Sequence, residues 1–425
     1  MLLAIYVGLV LILFLMGCAV PYSLGITAVV GMIYSGNGFG FSQAQTVTSK
    51  MAAGVNSFTL MAIPLFLLSG KLMNVGSITE RIFKFCNALV GWIPGGLGQV
   101  NILASVVFAG MSGSAVADAA GLGTIEIEAM KEEGFDLKFA AGITAASSTL
   151  GPIIPPSIPL VMFGCAGAVS IADLLVGGIL PGVTCAICLG LMVAYISVKR
   201  NYPRRGFPTA GELWDLFAKS ALSLLTPVIL IGGILSGIFT ATEAAAVSSL
   251  YAIILTTCIY RELGLKDVIQ VFRETCTETA AIMLVVAAST LYGYMITKNQ
   301  IPAMVLELFL AISSNKYIFL LLINIFLLFV GCFMETNAAI LILAPILLPA
   351  AAAFSIDPVH FGLIMVFNLM IGLLTPPVGM CLYATARVAG ISFEDTVKGT
   401  APFYIPLTIT LLAITLIPWL TLALT

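Results

Sequence analysis

The chain has 425 residues, of which 60% are hydrophobic and only 9% are charged, and its formal net charge is −2. Because a soluble domain carries roughly 25% charged residues, this composition excludes a soluble globular protein and predicts a polytopic protein surrounded by membrane lipid. The small net charge, with no basic run beyond KRNYPRR at 199–205, excludes a nucleic-acid partner.

Apolar runs of about 20 residues, the length that crosses a bilayer, predict a series of continuous spans. The spans are 2–20, 22–38, 56–73, 174–198, 221–240, 242–260, 274–297 and 401–424. The first run lacks the basic start and the small-residue cleavage site of a signal peptide, so we interpret it as a span. Two stretches, 77–91 and 301–313, are charged on one side and too short to cross, which predicts amphipathic arms at the membrane interface.

Two further regions, 97–130 and 317–354, do not read as single spans. Each consists of two short apolar halves around a small, polar centre, MSGS at 111–114 in the first and METN at 334–337 in the second. Each half is about half a membrane deep, so the pattern predicts two re-entrant hairpins with their tips near the midplane.

Adjacent prolines interrupt two other membrane-length segments, at 138–170 and 359–390. The interruptions are GPIIPPSIPL, with Pro155 and Pro156, and GLLTPPVGMCL, with Pro376 and Pro377. A helix broken inside the membrane frees backbone amides and carbonyls, which is tolerated only where the break is buried in protein or lines a polar cavity. Two breaks in matching positions therefore point to a solute-binding site near the midplane.

The two halves of the chain repeat this pattern. Basic loops at 199–205 and 261–273 predict the cytoplasmic side, and counting spans from them opens the first hairpin inward and the second outward, with both termini outside. The proline pairs are separated by about 220 positions, as are the two hairpin centres, which supports an inverted repeat. We predict repeat 1 at 1–198, a cytoplasmic linker at 199–220 and repeat 2 at 221–425.

The breaks and hairpin tips collect oxygen atoms. The end of the first half of a broken helix presents free carbonyls, which suit a cation, and the start of its second half presents free amides, which suit a carboxylate. Hydroxyl and carbonyl oxygens are hard ligands that suit sodium and are poor for transition metals. In the first half the polar set is Ser147, Ser148, Thr149 and Gly151, facing the tip at 112–114. In the second half it is Gly372 and Thr375, facing Glu335, Thr336 and Asn337. The sequence thus predicts two cation sites that flank one anionic solute.

Four blocks at these hairpins and breaks are distinctive. They are GMSGSAVADAAGLG, STLGPIIPPSIPL, METNAAILILAPILLPA and GLLTPPVGMCLYATARVAG. Over essentially the whole chain, they resemble the large membrane subunit of a tripartite ATP-independent periplasmic (TRAP) transporter. The resemblance implies a sodium-coupled elevator carrier for an organic acid, of the C4-dicarboxylate or sialic-acid class, in the bacterial inner membrane. It implies no cofactor besides sodium as the coupling ion.

The resemblance also implies partners and site residues. The expected partners are a soluble periplasmic binding protein that delivers the solute and a small membrane subunit of four helices. We expect that subunit as a separate polypeptide, because the chain begins directly at the large-subunit segment. Carried over by position, the sodium-binding residues are Ser112, Gly113, Ser114, Gly151, Pro152, Gly331, Thr336, Asn337, Gly372 and Thr375. We expect the solute at the breaks, near Ser148, Thr149, Pro155, Pro156, Ser157, Pro376 and Pro377. The hairpins and broken helices, about 97–198 and 317–425, would form a mobile transport body, and 1–93 and 221–313 would form its scaffold.

The few intramembrane charges have more than one interpretation. Asp118 and Glu335 lie close to the tips, where a carboxylate is a functional candidate; Asp118 could equally be neutralised by local hydrogen bonds. Glu126 and Glu128 are expected in a solvated loop at the base of the hairpin. Glu243 follows Thr240 at the spacing of a helix-capping box. Arg387 lies far enough beyond Pro377 to reach the cytoplasmic surface.

Two other functions remain open on the sequence. GMSG at 110–113 matches the G-x-S-G of intramembrane serine proteases, but only His360, expected at an outer loop in a structural or solvent-facing role, could serve as the base. We therefore expect a transporter and not an enzyme. A stand-alone sodium/dicarboxylate carrier would share this architecture, and composition does not separate it from the tripartite system.

Overall fold

The computed structural model describes residues 4–37, 40–74 and 78–425, and throughout these ranges the regular secondary structure is helical, without a β-strand. Within them, six helices are long and apolar enough to cross a membrane, and up to eight spans result if each sharply bent helix pair counts as one. The all-helical, polytopic prediction is confirmed.

Five helices precede the first hairpin. They are α1 (Val10–Leu15), α2 (Val20–Met32), α3 (Phe41–Val55), α4 (Ala62–Met73) and α5 (Ile78–Val90). The predicted span at 56–73 is wrong in its start, because α3 and the helix over Thr59–Met73 pass as one span that is bent by 59°. The helix α5 lies within the stretch 77–91 that was predicted as an amphipathic arm. Residues 2, 3, 38 and 77 of the predicted elements lie outside the described ranges.

The first hairpin and the first broken helix follow. Their helices are α6 (Leu97–Ser112), α7 (Ala115–Ala120), α8 (Leu122–Glu132), α9 (Leu137–Ser148), α10 (Ile158–Gly167), α11 (Ile171–Gly177) and α12 (Ile179–Arg200). The hairpin turns at residues 113–114, as predicted from MSGS. The break separates α9 from α10 and contains the proline pair, which is joined by a cis peptide bond. Ser157 caps α10 by accepting a hydrogen bond from the Leu160 amide at 3.2 Å.

Four helices begin the second half of the chain. They are α13 (Ala210–Leu235), α14 (Ala241–Ile254), α15 (Leu265–Lys298) and α16 (Ile301–Ile312). The helix α13 begins inside the stretch predicted as a linker, since Thr209 caps it by accepting a hydrogen bond from the Glu212 amide. The predicted capping box is confirmed at α14, where Glu243 accepts a 2.8 Å hydrogen bond from the Thr240 amide and Thr240 accepts one from the Glu243 amide.

The second hairpin and the second broken helix repeat the earlier succession. Their helices are α17 (Lys316–Gly331), α18 (Thr336–Ala353), α19 (Pro358–Gly372), α20 (Met380–Ala389), α21 (Phe393–Thr400), α22 (Tyr404–Leu416) and α23 (Trp419–Leu422). The hairpin turns at 332–335 and the break spans 373–379. The predicted span at 401–424 is wrong as a single helix, because the chain leaves helical geometry at Ile417, before Pro418.

The helices form two sets that pack extensively within themselves, and α15 and α16 also pack on α18, and α5 on α6, across the two sets. The helices α2, α3 and α4 pack on α15, α4 packs on α14 and α5 packs on α13; we name α1–α5 and α13–α16 the scaffold group. The helix α10 packs on α18, α9 packs on α20 and α21, and α12 packs on α22; we name α6–α12 and α17–α23 the body group. Both groups therefore combine helices from both halves of the chain.

Candidate functional site

A cavity of about 280 Å³ lies where both hairpin tips and the first break meet the scaffold helices α4 and α15. From the body group it is lined by Gly113, Ser114, Pro152, Glu335, Thr336, Asn337 and Leu373, among others. From the scaffold group it is lined by Leu67, Glu278, Ala281 and Ile282. The fold thus brings predicted sodium-site residues of both halves to one space.

The first tip contacts the first break directly. Gly113 has a left-handed backbone with φ of 60°, and a Cβ atom there would lie 2.8 Å from the Pro156 carbonyl oxygen. A side chain would therefore separate the tip from the break, so this position requires glycine. Ser114 borders the cavity beside it. Ser112 is the last residue of α6, and its side chain lies outside the described part of the chain.

The residues before the first proline pair form the wall behind the tip. Ser148 and Thr149 are buried, and their hydroxyls donate hydrogen bonds of 2.7 Å to the carbonyls of Ala145 and Ala146 in their own helix. They do not line the cavity, and neither do Pro155, Pro156 and Ser157, which are also buried. Of the break itself, only Pro152 reaches the cavity.

Gly151 has an acidic neighbour. A Cβ atom on Gly151 would lie 2.3 Å from Oδ2 of Asp118, so only a glycine allows the carboxylate to approach the backbone this closely. Asp118 is 3% exposed and lies on α7, one turn beyond the tip. The predicted sodium-site residue Gly151 therefore lies next to a buried carboxylate oxygen.

The second tip is organised by Glu335. Its carboxylate caps α18, accepting a hydrogen bond of 3.0 Å from the Ala338 amide and one of 2.8 Å from Nδ2 of Asn337. This arrangement leaves two buried oxygens, Thr336 Oγ1 and Asn337 Oδ1, with no hydrogen-bond partner among the described residues. Buried polar atoms without partners are rare, and each costs about 1–3 kcal/mol. Two such oxygens therefore lie next to each other in the sequence at this tip.

The second break is built on a contact between two glycines. A Cβ atom on Gly372 would lie 2.5 Å from the Gly331 Cα atom, so α17 and α19 cross backbone to backbone. Thr375 donates a 2.9 Å hydrogen bond to the Ile371 carbonyl. Pro376 and Pro377 are exposed, share a cis peptide bond and do not line the cavity. Of the second break, Leu373 therefore lines the cavity and the proline pair does not.

A buried polar cluster behind the first tip was missed in the sequence. Asn101 Nδ2 lies 2.6 Å from Glu126 Oε2 and 2.7 Å from Thr144 Oγ1, and the Ser147 hydroxyl donates to Asn101 Oδ1 at 2.5 Å. The prediction of a solvated Glu126 is wrong, because α8 packs against α6 and α9 and leaves this side chain 1% exposed. A signal was present: Leu122, Glu126 and Met130 recur at a spacing of four and share the buried face of α8.

A charged group on the scaffold, formed by Lys71, Glu274 and Glu278, was not predicted from the sequence. Lys71 Nζ lies 2.7 Å from Glu278 Oε1 and 3.5 Å from Glu274 Oε2. Glu274 and Glu278 are four positions apart, so they project from the same face of α15 toward α4. Glu278 lines the cavity opposite the second tip, which makes it the scaffold's carboxylate at this site.

His360 has a structural position. Its ring Nδ1 lies 2.7 Å from the Thr421 hydroxyl, and the side chain is 4% exposed in the first turn of α19. It does not line the cavity. Arg387 is exposed in the last turn of α20 and also stays away from the cavity.

Comparisons with known proteins show the family to which the chain is similar. The family model described as "Tripartite ATP-independent periplasmic transporter, DctM component" matches residues 7–420. The sialic acid TRAP transporter large permease protein SiaM of Vibrio cholerae is 46% identical over 409 residues, covering 96% of this chain and 95% of that protein. The C4-dicarboxylate TRAP transporter large permease protein DctM of Pseudomonas aeruginosa is 38% identical over 387 residues, covering 91% and 90%.

A solved structure shares the fold. The Alcanivorax borkumensis YdaH transporter superposes with a TM-score of 0.65, covering 90% of this chain and 89% of that one. Its sequence identity of 12% limits this likeness to the fold.

Proposed function

We propose that this chain, which belongs to the DctM family of tripartite ATP-independent periplasmic transporters, carries an organic acid together with sodium across the bacterial inner membrane. Members of this family are inner-membrane transport permeases and not enzymes, and the chain shares that class. The sequence resemblance is thereby confirmed, and the intramembrane protease alternative is rejected. The proposal has three parts, which are the coupling to sodium, the class of the solute and the partner proteins.

One observation carries the sodium coupling: two buried oxygens at the second tip, on Thr336 and Asn337, have no partner among the described residues. Both residues line the same cavity as Gly113 and Ser114 of the first tip. We assign one sodium to Ser112, Gly113, Ser114, Gly151 and Pro152, and another to Gly331, Thr336, Asn337, Gly372 and Thr375. Oxygen donors without thiolate or imidazole favour sodium over a transition metal.

The solute would occupy the cavity between the two tips. Its chemical class follows the substrates of two relatives, a sialic acid permease at 46% identity and a C4-dicarboxylate permease at 38%. The breaks at 148–157 and 373–379 support the tips from behind and position their backbone. We place the solute against the tips, with Pro152 and Leu373 as the contributions of the breaks.

The proposed movement follows the two packing groups. The body group carries both tips and both breaks, and the scaffold group provides the opposite wall of the cavity through α4 and α15. Rigid movement of the body, about 97–198 and 317–425, against the scaffold, 1–93 and 221–313, would carry the site across the membrane. This arrangement is that of an elevator carrier.

The proposed assembly contains a small four-helix membrane subunit and a periplasmic solute-binding protein. Exposed apolar side chains on α13, including Trp214, Leu222 and Val228, fit a membrane environment of lipid or of a second helical subunit. Similarity to two TRAP transporter permeases favours this assembly over a stand-alone carrier.

Reconstitution in liposomes tests the proposal. The chain and its small subunit would be inserted, and uptake of labelled sialic acid and labelled succinate would be measured with and without the binding protein and an inward sodium gradient. We expect uptake of one acid that requires both. Full-rate uptake without the binding protein would contradict the tripartite assembly, and uptake that ignores the sodium gradient would contradict the coupling.

A further inference from the structure

The charged group on the scaffold lies at one mouth of the cavity. Leu67 lines the cavity from α4, and Lys71 follows it by four positions on the same face. Glu278 lines the cavity from α15, and Glu274 precedes it by four positions. Four residues of helix span roughly 6 Å, so Lys71 and Glu274 lie one turn outside the cavity.

The helical turns that carry Lys71 on α4 and Glu274 on α15 lie on the same side of the cavity. The two helices are antiparallel, because Gly54, before the start of α4, packs against Thr290 of α15, while Lys71 near the end of α4 meets Glu278. The direction from Leu67 to Lys71 is therefore the direction toward the start of α15, where the basic loop at 261–273 marks the cytoplasmic side. A solute that leaves the tips toward the cytoplasm passes Lys71.

The cavity itself offers an acid no cationic side chain. Among the described residues that line it, Glu278 and Glu335 are carboxylates and none is Lys, Arg or His. An organic acid on its way out therefore meets two like charges before it meets a positive one. The ammonium group of Lys71 places a positive charge on that side, one turn beyond Leu67, and lies 2.7 Å from Glu278.

Replacing Glu278 by another carboxylate as the partner of Lys71 requires little free energy. The side chains of Lys71 and Glu278 are 22% and 52% exposed, so water screens both charges when they separate. The ammonium has three donor positions, and one of them can turn from Glu278 to a new acceptor. Glu278 and the carboxylate of a solute would compete for the same donor.

We propose that Lys71 is a transient second binding point for the solute carboxylate on the cytoplasmic side of the cavity, and that Glu278 displaces the acid from it. This inference rests on the proposed function, because it requires a carboxylate that leaves the tips. Lys71 holds the departing acid for a moment, and the return of Glu278 to Lys71 releases it.

The test measures the affinity for the acid at the external and internal faces of the carrier separately. The chain, its small subunit and the binding protein are reconstituted with the labelled acid, sialic acid or succinate, that the wild-type assembly takes up. Two quantities are measured: the external KM, and the internal concentration of the same unlabelled acid that halves the initial rate of uptake. Because the binding protein is added outside only, the uptake comes from carriers in one orientation.

Three variants make the comparison. Lys71→Gln should raise the inhibitory internal concentration about tenfold, the effect of losing one partly screened charge-assisted contact, and leave the external KM within about twofold. Glu278→Gln should lower that internal concentration, because the competitor is weakened. Glu274→Gln is the matched control, since it also loses a partner of Lys71 but leaves the 2.7 Å pair and the cavity wall intact.

The outcomes are distinguishable. Absence of uptake by the wild-type assembly would overturn the proposed function and this inference with it. Wild-type uptake combined with an unchanged internal concentration in Lys71→Gln would overturn the inference alone, as would equal effects of the two glutamate substitutions. If Lys71→Gln fails to fold, the opposite shift expected for Glu278→Gln decides the matter by itself.

Discussion

Replacing Thr336 by valine tests the second sodium site, because it should maintain or raise the stability of the sodium-free protein and lower its affinity for sodium. Thr336 is 1% exposed, and its hydroxyl has no hydrogen-bond partner in the described part of the chain. Without sodium, the wild-type protein therefore carries the cost of an unsatisfied buried hydroxyl, about 1–3 kcal/mol. Removal of that hydroxyl should leave the sodium-free protein equally stable or more stable, with an unchanged or higher Tm.

With sodium the same change should be harmful. A contact from a hydroxyl to a charged group contributes about 1.5–3 kcal/mol, so Thr336→Val should raise the sodium concentration for half-maximal uptake roughly 10- to 150-fold. The stabilisation of the purified protein by sodium, which grows with the ratio of sodium concentration to Kd, should shrink accordingly. Both quantities can be measured on one preparation, by thermal unfolding across a sodium titration and by uptake into liposomes.

Thr385→Val provides the matched control. Thr385 is as deeply buried, but its hydroxyl donates to the Cys381 carbonyl of its own helix at 3.0 Å. We expect its sodium activation to stay within about twofold of wild type, far below the range expected for Thr336→Val. Unchanged sodium activation in Thr336→Val, or equal shifts in both variants, would refute the assignment of Thr336 as a ligand.

Three further predictions follow from packing and hydrogen bonding. Gly372→Ala should lower stability by about 1–3 kcal/mol or more, because its Cβ would lie 2.5 Å from the backbone of α17; Gly232→Ala, with no atom within 4 Å, should leave the Tm unchanged in the same unfolding assay. Asn101→Leu should cost roughly 3 kcal/mol in thermal unfolding, because it strips the buried Glu126 carboxylate of its 2.6 Å donor; a Tm equal to wild type would show that the cluster does not stabilise the body. His360→Ala should lower the Tm through loss of its 2.7 Å hydrogen bond and keep sodium-driven uptake, and a stable variant without uptake would contradict the structural role.

The parts of the fold that the sequence predicts are those with local signals. The hairpin predicted at 97–130 is observed as α6 to α8, ending at Glu132, because a short glycine and serine centre between apolar halves is sufficient to mark its tip. Proline pairs mark both breaks in the same way. The helix α3 was missed, because its FSQAQTVTSK sequence has no apolar run and its place beside α15 depends on tertiary contacts.

Only part of the site can be predicted from local sequence signals. Motifs predicted the hairpin tips and the glycine and proline residues of the breaks as site residues. Of these, Gly113, Ser114, Pro152, Thr336 and Asn337 line the same cavity. Its opposite wall was not found, because Glu278 belongs to a long helix whose position relative to the tips is set by packing between the two groups. The burial of Glu126 has a similar origin, since α9, which lies outside the hairpin, packs on α8 together with α6.

The charge of the cavity explains why sodium and the acid would have to travel together in the proposed carrier. Two carboxylates line the cavity and no cationic side chain does so among its described residues, so an anionic solute entering alone meets only repulsion from side-chain charges. Sodium at the two tips reverses that sign directly beside the solute. By thermodynamic linkage the acid must then raise the affinity for sodium by the factor by which sodium raises the affinity for the acid. A body loaded with the acid but lacking sodium would be poorly populated, and slippage of the acid without the ion would be suppressed by electrostatics before any gate closes.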